Sequence, residues 1–595
     1  MNKRDIMKAY IKKKREGFYM SWERTYETWK SFENLEDELR EDLAAVANDQ
    51  VKLEDAFYTN LEFGTAGMRG VIGAGTNRMN TYIVRQATEG LARFIEARGE
   101  DAKKRGVVIA YDSRHKSPEF SLEAAKTLGA HGIKTYLFES LRTTPELSFA
   151  VRHLGTFAGI MMTASHNPPE YNGYKVYGED GGQFPPKEAD ELTDYVRSVE
   201  NILEIKVGDK ATLEADGLLE MVGEKIDEAY LEDLKTVNID KELIERNSDL
   251  NIVFSPLHGT ATMIGSRALE NAGFKNVTLE PKQALPDPDF TTVKSRNPED
   301  PDAFELSIAL GKEIGAEVLI ATDPDADRLG MATRLENGEY QVLTGNQIGA
   351  LMVNYLLKAY KKQGTLPTNG AIIKSIVSSE MPAKIADSFD VDTVNVLTGF
   401  KFIAQKIKEY EETGDKTFLF GFEESYGFLV KPFVRDKDAI QALILIAELA
   451  AYYKEQGKTT YDGLQELFEE YGYFQEKTIS ITMSGISGAE NIKKLMAALR
   501  AETPAEIANV KVSVVEDYLE GTRKEINGES IEMSFDKADV LKYHLEDGSW
   551  IAARPSGTEP KIKFYIGAVS DSQEKVDQKV TDFETAINKI IEAQN

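Results

Sequence analysis

One pattern runs through this chain three times, and that repetition limits its possible folds more than any single motif does. A short apolar run of strand character is followed by a polar loop, a helix, a second strand, another helix and a third strand. The first copy holds Val107–Tyr111, Lys134–Phe138 and Phe157–Met162; the second holds Asn251–Phe254, Asn276–Leu279 and Glu317–Ala321. The third holds Ala371–Val377, Thr393–Leu397 and Thr417–Phe420. Apolar strands alternating with helices predict three similar α/β domains with mixed, largely parallel sheets. Past about Phe474 the pattern changes. Strand-like Lys477–Met483 and Ser549–Ala553 flank helices, and the last amphipathic helix runs through Ile590, which predicts a distinct C-terminal α+β domain. A chain of 595 residues needs several cores, because single cores stop growing well below that length. The expected division is 1–220, 221–343, 344–474 and 475–595. Ahead of the first copy, Trp22, Tyr26, Trp29 and Phe32 lie among charges at helical spacing and predict amphipathic helices packed on the first domain.

The chemistry lies in the loop after each third strand: Thr163-Ala164-Ser165-His166-Asn167-Pro168, then Asp323-Pro324-Asp325-Ala326-Asp327-Arg328, then Gly421-Phe422-Glu423-Glu424-Ser425-Tyr426-Gly427. Ligands of open α/β sheets bind beyond the carboxyl ends of the strands, so equivalent polar loops there predict domains facing one central cleft. Asp323, Asp325 and Asp327 are hard oxygen donors at a spacing that suits Mg²⁺. A lone D-x-D is ordinarily a solvated turn, but three carboxylates ending an apolar strand favour a metal. An EF-hand is excluded, since Arg328 and Arg334 occupy the places of its glycine and its final glutamate. Ser165 sits in a turn of a kind that such residues form for structural reasons alone. An esterase elbow is excluded there by Thr163 and Asn167 in place of its glycines. Beside a metal site, a phosphoserine at this position has a cation to offset its charge of about −1.5 to −2.

Arg554-Pro555-Ser556-Gly557-Thr558 combines a guanidinium fork, two hydroxyls and a glycine, which together suit a phosphate. Glu423, Glu424 and Ser425 supply acceptors and a hydroxyl that can bond sugar hydroxyls, a pair of glutamates being otherwise commonplace on surfaces. Arg69, in a glycine-rich loop from Gly64 to Gly70, and Lys401, just past a strand, are further cations in loops that would otherwise read as plain turns. The formal net charge of −28 disfavours nucleic acid and anionic lipid. It also means that an anionic substrate requires local gathering of positive groups. The absence of cysteine removes thiolate catalysis and disulfides. No apolar h-region follows MNKRDIMKAYIKKKREGF, and no run of about eighteen apolar residues suggests a membrane span, so the expected location is cytoplasmic.

Thr163–Pro168, Asp323–Arg328, Glu423–Ser425 and Arg554–Thr558, in this order, closely resemble the α-D-phosphohexomutase superfamily, from about Leu61 to the C-terminus. Length and the Gly64–Gly70 stretch look most like its phosphoglucomutase-type members. The resemblance implies four domains around a cleft and a phosphorylated Ser165 that binds Mg²⁺ together with Asp323, Asp325 and Asp327. It implies sugar contacts from Glu423 and Ser425, and a grip on the non-reacting phosphate from Arg554, Ser556, Gly557 and Thr558. Arg69, His166, Arg328 and Lys401 match positive or proton-shuttling positions, with the general base open between His166 and Lys401. His258, in Pro256-Leu257-His258-Gly259, matches a further family loop or is a structural turn. Lys563 stands where many relatives carry arginine, and Phe422 separates Gly421 from Glu423; both departures bear on the substrate. The implied reaction interconverts glucose 1-phosphate and glucose 6-phosphate, with glucose 1,6-bisphosphate as intermediate and activator. Mannose or pentose phosphates, and more remotely a metal-dependent sugar phosphatase or a silent binder, are the alternatives. The partners expected are small sugar phosphates, with the chain a monomer or weak homo-oligomer.

Overall fold

A computed structural model of the chain describes residues 22–64, 67–483, 486–526, 528–556 and 561–594. Trp22, Tyr26 and Trp29 are buried with Leu39, Leu43, Phe57 and Tyr82. Trp29 meets Phe57 at 5.8 Å and Tyr82 at 5.5 Å, so the N-terminal helices do pack on the first α/β unit.

In that unit Ala158–Met162, Val107–Tyr111, Thr135–Phe138 and Leu219–Val222 run parallel in this order. The second unit joins Val318–Thr322, Asn251–Ser255 and Asn276–Leu279 in parallel, and the third joins Thr417–Glu423, Gly370–Ser375 and Asp392–Val396. The central strands are buried along their whole length, as continuous apolar runs covered by helices on both faces must be.

Each sheet also has strands that the repeat does not announce. The third strand of every unit turns back into an antiparallel neighbour: Tyr171–Gly178, Leu329–Arg334 and Gly427–Leu429. The functional loops are therefore hairpin connections. Each contains one non-glycine residue in the left-handed region, Ser165 (φ 50°), Ala326 (φ 56°) and Tyr426 (φ 64°), a conformation that side chains other than glycine rarely adopt.

One apolar core is continuous through all three units and encloses helix Ala439–Glu455, whose residues are almost all buried. The C-terminal region is a separate antiparallel sheet, in the order Tyr473–Thr482, Lys561–Ser570, Trp550–Pro555, Leu541–Leu545, Val510–Asp517, Thr522–Glu525, Ser530–Glu532. Helices Ile486–Ala501 and Gln573–Gln594 contribute to a core of its own. Among the described residues, no helix is long and apolar enough to cross a membrane.

Candidate active site

The hairpin after Ala158–Met162 places Ser165 at the centre of the molecule. Its backbone N–H donates to Thr163 Oγ1 at 2.7 Å, which closes the turn. Its hydroxyl donates to Asp323 Oδ2 at 2.7 Å and lies 3.2 Å from His166 Nδ1. Burial, with Arg328 and Arg69 nearby, pushes His166 down to about 2. The imidazole is therefore neutral beside the serine hydroxyl.

Asp323, Asp325 and Asp327 bring carboxylate oxygens within 4.8 Å of one another, all buried. Asp323 Oδ1 accepts from the N–H groups of Asp327 (3.1 Å) and Arg328 (2.9 Å). Asp325 Oδ2 accepts from Thr144 Oγ1 (2.9 Å) and Lys175 Nζ (2.8 Å), and Lys437 Nζ stands 3.1 Å from Asp327. Asp325 Oδ1 and Asp327 Oδ1 are buried with no hydrogen-bond partner among the described residues. Burial and the two neighbouring carboxylates drive Asp323 well above the usual carboxylate range. Buried oxygens without donors among the described residues, and a carboxyl whose ionised form its neighbours disfavour, are features that a bound cation would relieve. The all-oxygen donor set fits a hard divalent metal.

The Pro256–Gly259 stretch supports this loop from behind. A Cβ at Gly259 would lie 2.5 Å from both Cα and O of Pro324, so only glycine allows the two backbones to approach. Thr260 then donates to the Pro324 carbonyl from its N–H (2.8 Å) and its hydroxyl (3.0 Å). His258 is buried, with Nδ1 at 2.8 Å from Leu285 O and Nε2 at 2.7 Å from Thr292 Oγ1. Both ring nitrogens are engaged by protein, and the ring is not in the cleft wall.

A cavity of about 630 Å³ opens beside the serine and carboxylates. His166 lines it from the first unit; Asn297, Glu299 and Arg328 from the second; Thr344, Glu423, Glu424 and Ser425 from the third. Trp550, Arg554, Lys563 and Tyr565 close it from the C-terminal sheet. Arg328, Arg554, Lys563 and Lys477 gather positive charge here in a chain that is otherwise strongly acidic. Glu423 accepts from the Gly399 N–H at 2.7 Å, and burial pushes its carboxyl up to about 7. Arg328 is held by Glu299. Ser556 N–H donates to Lys561 O at 2.7 Å and starts the hairpin into Lys561–Ser570; Gly557 and Thr558 lie outside the described residues.

Two predicted cations stand back from the cavity wall. Arg69 donates to Asn167 Oδ1 at 3.0 Å, at the edge of the serine loop. Lys401 is half-buried on the first turn of Phe400–Thr413, 5.2 Å from the Phe402 ring centre, and burial lowers its ammonium. Sequence reasoning missed Lys175, Lys437, Thr144 and Arg114. Lys437 carried a readable signal, since Arg435-Asp436-Lys437-Asp438 sets four charges directly before an apolar helix. Such charges must find partners in the interior. The other three stand singly in ordinary contexts.

Three units of one build and a fourth of another, converging on a serine, a carboxylate triad and a cationic cleft, form a phosphohexomutase architecture. Four consecutive family descriptions match the chain: phosphoglucomutase/phosphomannomutase alpha/beta/alpha domains I (60–202), II (228–337) and III (344–471), and the C-terminal domain (493–582). A phosphoglucomutase of Staphylococcus epidermidis is 42% identical over 532 residues, covering 89% of this chain and 94% of the relative. One from Staphylococcus aureus is 39% identical over 533 residues, covering 89% and 93%. Among solved structures, a putative phosphomannomutase from Thermus thermophilus superposes with a TM-score of 0.65 at 22% identity, over 90% of this chain and 99% of that one. The chain belongs to the phosphoglucomutase/phosphomannomutase family.

Proposed function

We propose that the protein interconverts α-D-glucose 1-phosphate and glucose 6-phosphate through a phosphoserine at Ser165 and a bound glucose 1,6-bisphosphate. The observation that carries this reading is the 2.7 Å contact of Ser165 Oγ with Asp323 Oδ2, beside carboxylate oxygens that have no donors among the described residues. Two units meet to put a nucleophilic hydroxyl at a cation site. Phosphoserine 165, Asp323, Asp325 and Asp327 hold Mg²⁺ in this reading, which when bound supplies positive charge to the transferring group.

In the first half-reaction the free hydroxyl of a hexose monophosphate bonds to phosphorus as the P–O bond to Ser165 Oγ breaks. The proton of that hydroxyl is balanced by the one Ser165 gains. Neutral His166, at 3.2 Å from Oγ, is assigned to the serine side of this transfer. Arg69, Arg328 and Lys401 add positive potential, Glu423 and Ser425 hold sugar hydroxyls, and Arg554, Ser556, Gly557, Thr558 and Lys563 grip the phosphate that does not react. The bisphosphate then turns so that its other phosphate faces Ser165, which takes it back. The domains we assign follow the division 1–220, 221–343, 344–474 and 475–595, with the first boundary moved past Leu219–Val222 and the last ahead of Tyr473–Thr482, since each strand pairs wholly within its own sheet. Small sugar phosphates are the only partners in this reading, the chain acting in the cytoplasm as a monomer or weak homo-oligomer.

The test is an assay of wild-type and Ser165→Ala protein with Mg²⁺, glucose 1-phosphate and a trace of glucose 1,6-bisphosphate. Glucose 6-phosphate from the wild type alone is the expected result. Free phosphate as main product, or undiminished turnover by the variant, would overturn the phosphoserine route, and preference for a mannose or pentose phosphate would overturn the substrate.

A further inference from the structure

Behind the serine loop lies an arginine that touches no reacting atom and yet fixes where the loop can be. The Arg114 side chain is wholly shielded from solvent. Its Nη1 donates to the carbonyls of Pro168 (2.7 Å) and Tyr171 (3.0 Å), and its Nη2 donates to those of Ser165 (2.5 Å) and Asn167. One guanidinium thus holds the loop at four backbone points from Ser165 onward. Its Nε lies 3.3 Å from Asp112 Oδ2. Asp112 is itself anchored, since its Oδ1 accepts from Arg114 N–H (3.0 Å) and Ser117 Oγ (2.8 Å).

The guanidinium carbon lies over the ring of Phe290, 5.1 Å from its centre, on the unit that carries Asp323, Asp325 and Asp327. Phe290 is buried, so its ring is confined by its surroundings, and its backbone takes the left-handed conformation (φ 50°). The Ser165 carbonyl and the seat against the second unit are therefore set by one planar group. Ser165 is itself left-handed, a conformation a serine keeps only where its surroundings impose it.

We infer that Arg114 is a positioning residue for phosphoryl transfer: it locks the Ser165 backbone and seats that loop against the second unit, which sets the aim of Ser165 Oγ. Lysine cannot replace it, because an ammonium offers three donors at one point instead of a planar fork reaching four carbonyls. A misplacement of about 1 Å at a reacting group costs on the order of 100-fold in rate. Loosening the loop also exposes the phosphoserine to water.

The inference rests on Ser165 carrying the phosphoryl group, and the experiment keeps the two separable. Wild-type and Arg114→Lys proteins are labelled with radioactive glucose 1,6-bisphosphate, then given glucose 1-phosphate, and label is followed into sugar and into free phosphate. We expect the variant to lose about 100-fold in kcat at unchanged KM, with a larger share of label released as phosphate. Wild-type kcat and partition in a labelled, folded Arg114→Lys overturn the inference, as does an activity loss that only tracks the folded fraction in thermal melts. If Arg114→Lys does not fold, Phe290→Leu keeps the fork and removes its seat. A several-fold slower transfer at constant KM then supports the inference, and wild-type transfer overturns it. A wild type that takes no label on Ser165 overturns the phosphoserine reading, and the inference with it.

Discussion

Asp325 shows how the carboxylate loop depends on residues outside its own unit. Its Oδ2 is held by Thr144, in the first turn of helix Thr144–Leu154, and by Lys175, while Oδ1 has no donor among the described residues. The Thr144 hydroxyl orients the carboxylate without adding charge. Thr144→Val keeps the shape and removes that bond. By the usual cost of losing a partner of a metal ligand, divalent-metal affinity should fall about 10- to 100-fold, which calorimetric titration with Mn²⁺ would measure; unchanged affinity would deny Thr144 this function. Glu423 gives a pH signature at the same scale. Burial raises its carboxyl from 4.5 to about 7. A group whose folded value is raised contributes stability that is full below 4.5 and lost as pH rises through about 7. Glu423→Gln cannot ionise, so its stability relative to wild type should increase between about pH 5 and pH 8, by up to about 3 kcal/mol. Chemical denaturation of both proteins at both pH values checks this, and a constant difference would contradict it.

At the scale of elements, the Asp323–Arg328 loop is only as well placed as the turn behind it. Gly259→Ala forces a methyl to within 2.5 Å of Pro324 backbone atoms, which cannot swing aside as a side-chain tip can. The two bonds from Thr260 to Pro324 must lengthen with it. Overpacking of this kind costs about 1–3 kcal/mol. A lower melting temperature together with a smaller upward shift on adding Mg²⁺ is expected, and an unchanged shift would separate the turn from the Asp323–Arg328 loop. Such elements also mark what the sequence could and could not reveal. The central strands of each unit were legible because uninterrupted apolar runs have few alternatives, while the partly exposed Asn276–Leu279 and Asp392–Val396 were legible only from their place in the repeat. Asp323, Asp325 and Asp327 were legible because carboxylates ending such a run need a reason. The return strands were not. Gly427–Leu429 is too short to show a period, and Tyr171–Gly178 carries Asn172, Gly173 and Lys175. They are strands because a hairpin partner lies beside them. Arg114 and Lys175 were invisible for a related reason. Arg114 meets carbonyls 51 to 57 residues on, Lys175 a carboxylate 150 residues on, and no local spacing encodes contacts that only the assembled fold makes.

Over the whole molecule, a continuous core binds the three α/β units, whereas the C-terminal sheet has a core of its own. It meets the third unit through a smaller cluster in which Trp550, Tyr565 and Val540 pack on Ile376, Val377 and Leu397. The sheet brings Arg554 and Lys563 to the cleft, so its docking sets where these two cations stand. Lys542 ties that junction. Its Nζ donates to Ile376 O at 2.7 Å, lies 3.5 Å from Glu380 Oε1 and sits 4.5 Å from the Trp550 ring centre. Lys374, at 3.0 Å, competes for the same Glu380, and Glu516 adds attraction from the sheet itself. Burial and the Lys374 charge lower Lys542 from 10.5 to about 8. A value depressed on docking means that docking expels the proton, so docking is favoured most above 10.5 and weakens as pH falls through about 8. Between about pH 7 and pH 9 the docked state should gain about tenfold in equilibrium. Amide exchange of Leu541–Leu545, corrected for its intrinsic pH dependence, should therefore slow about tenfold at about pH 9. Lys542→Met, which has no proton to expel, should lose that response. Protection in the wild type that is flat or falls with pH would mean that the sheet docks without Lys542 as its latch.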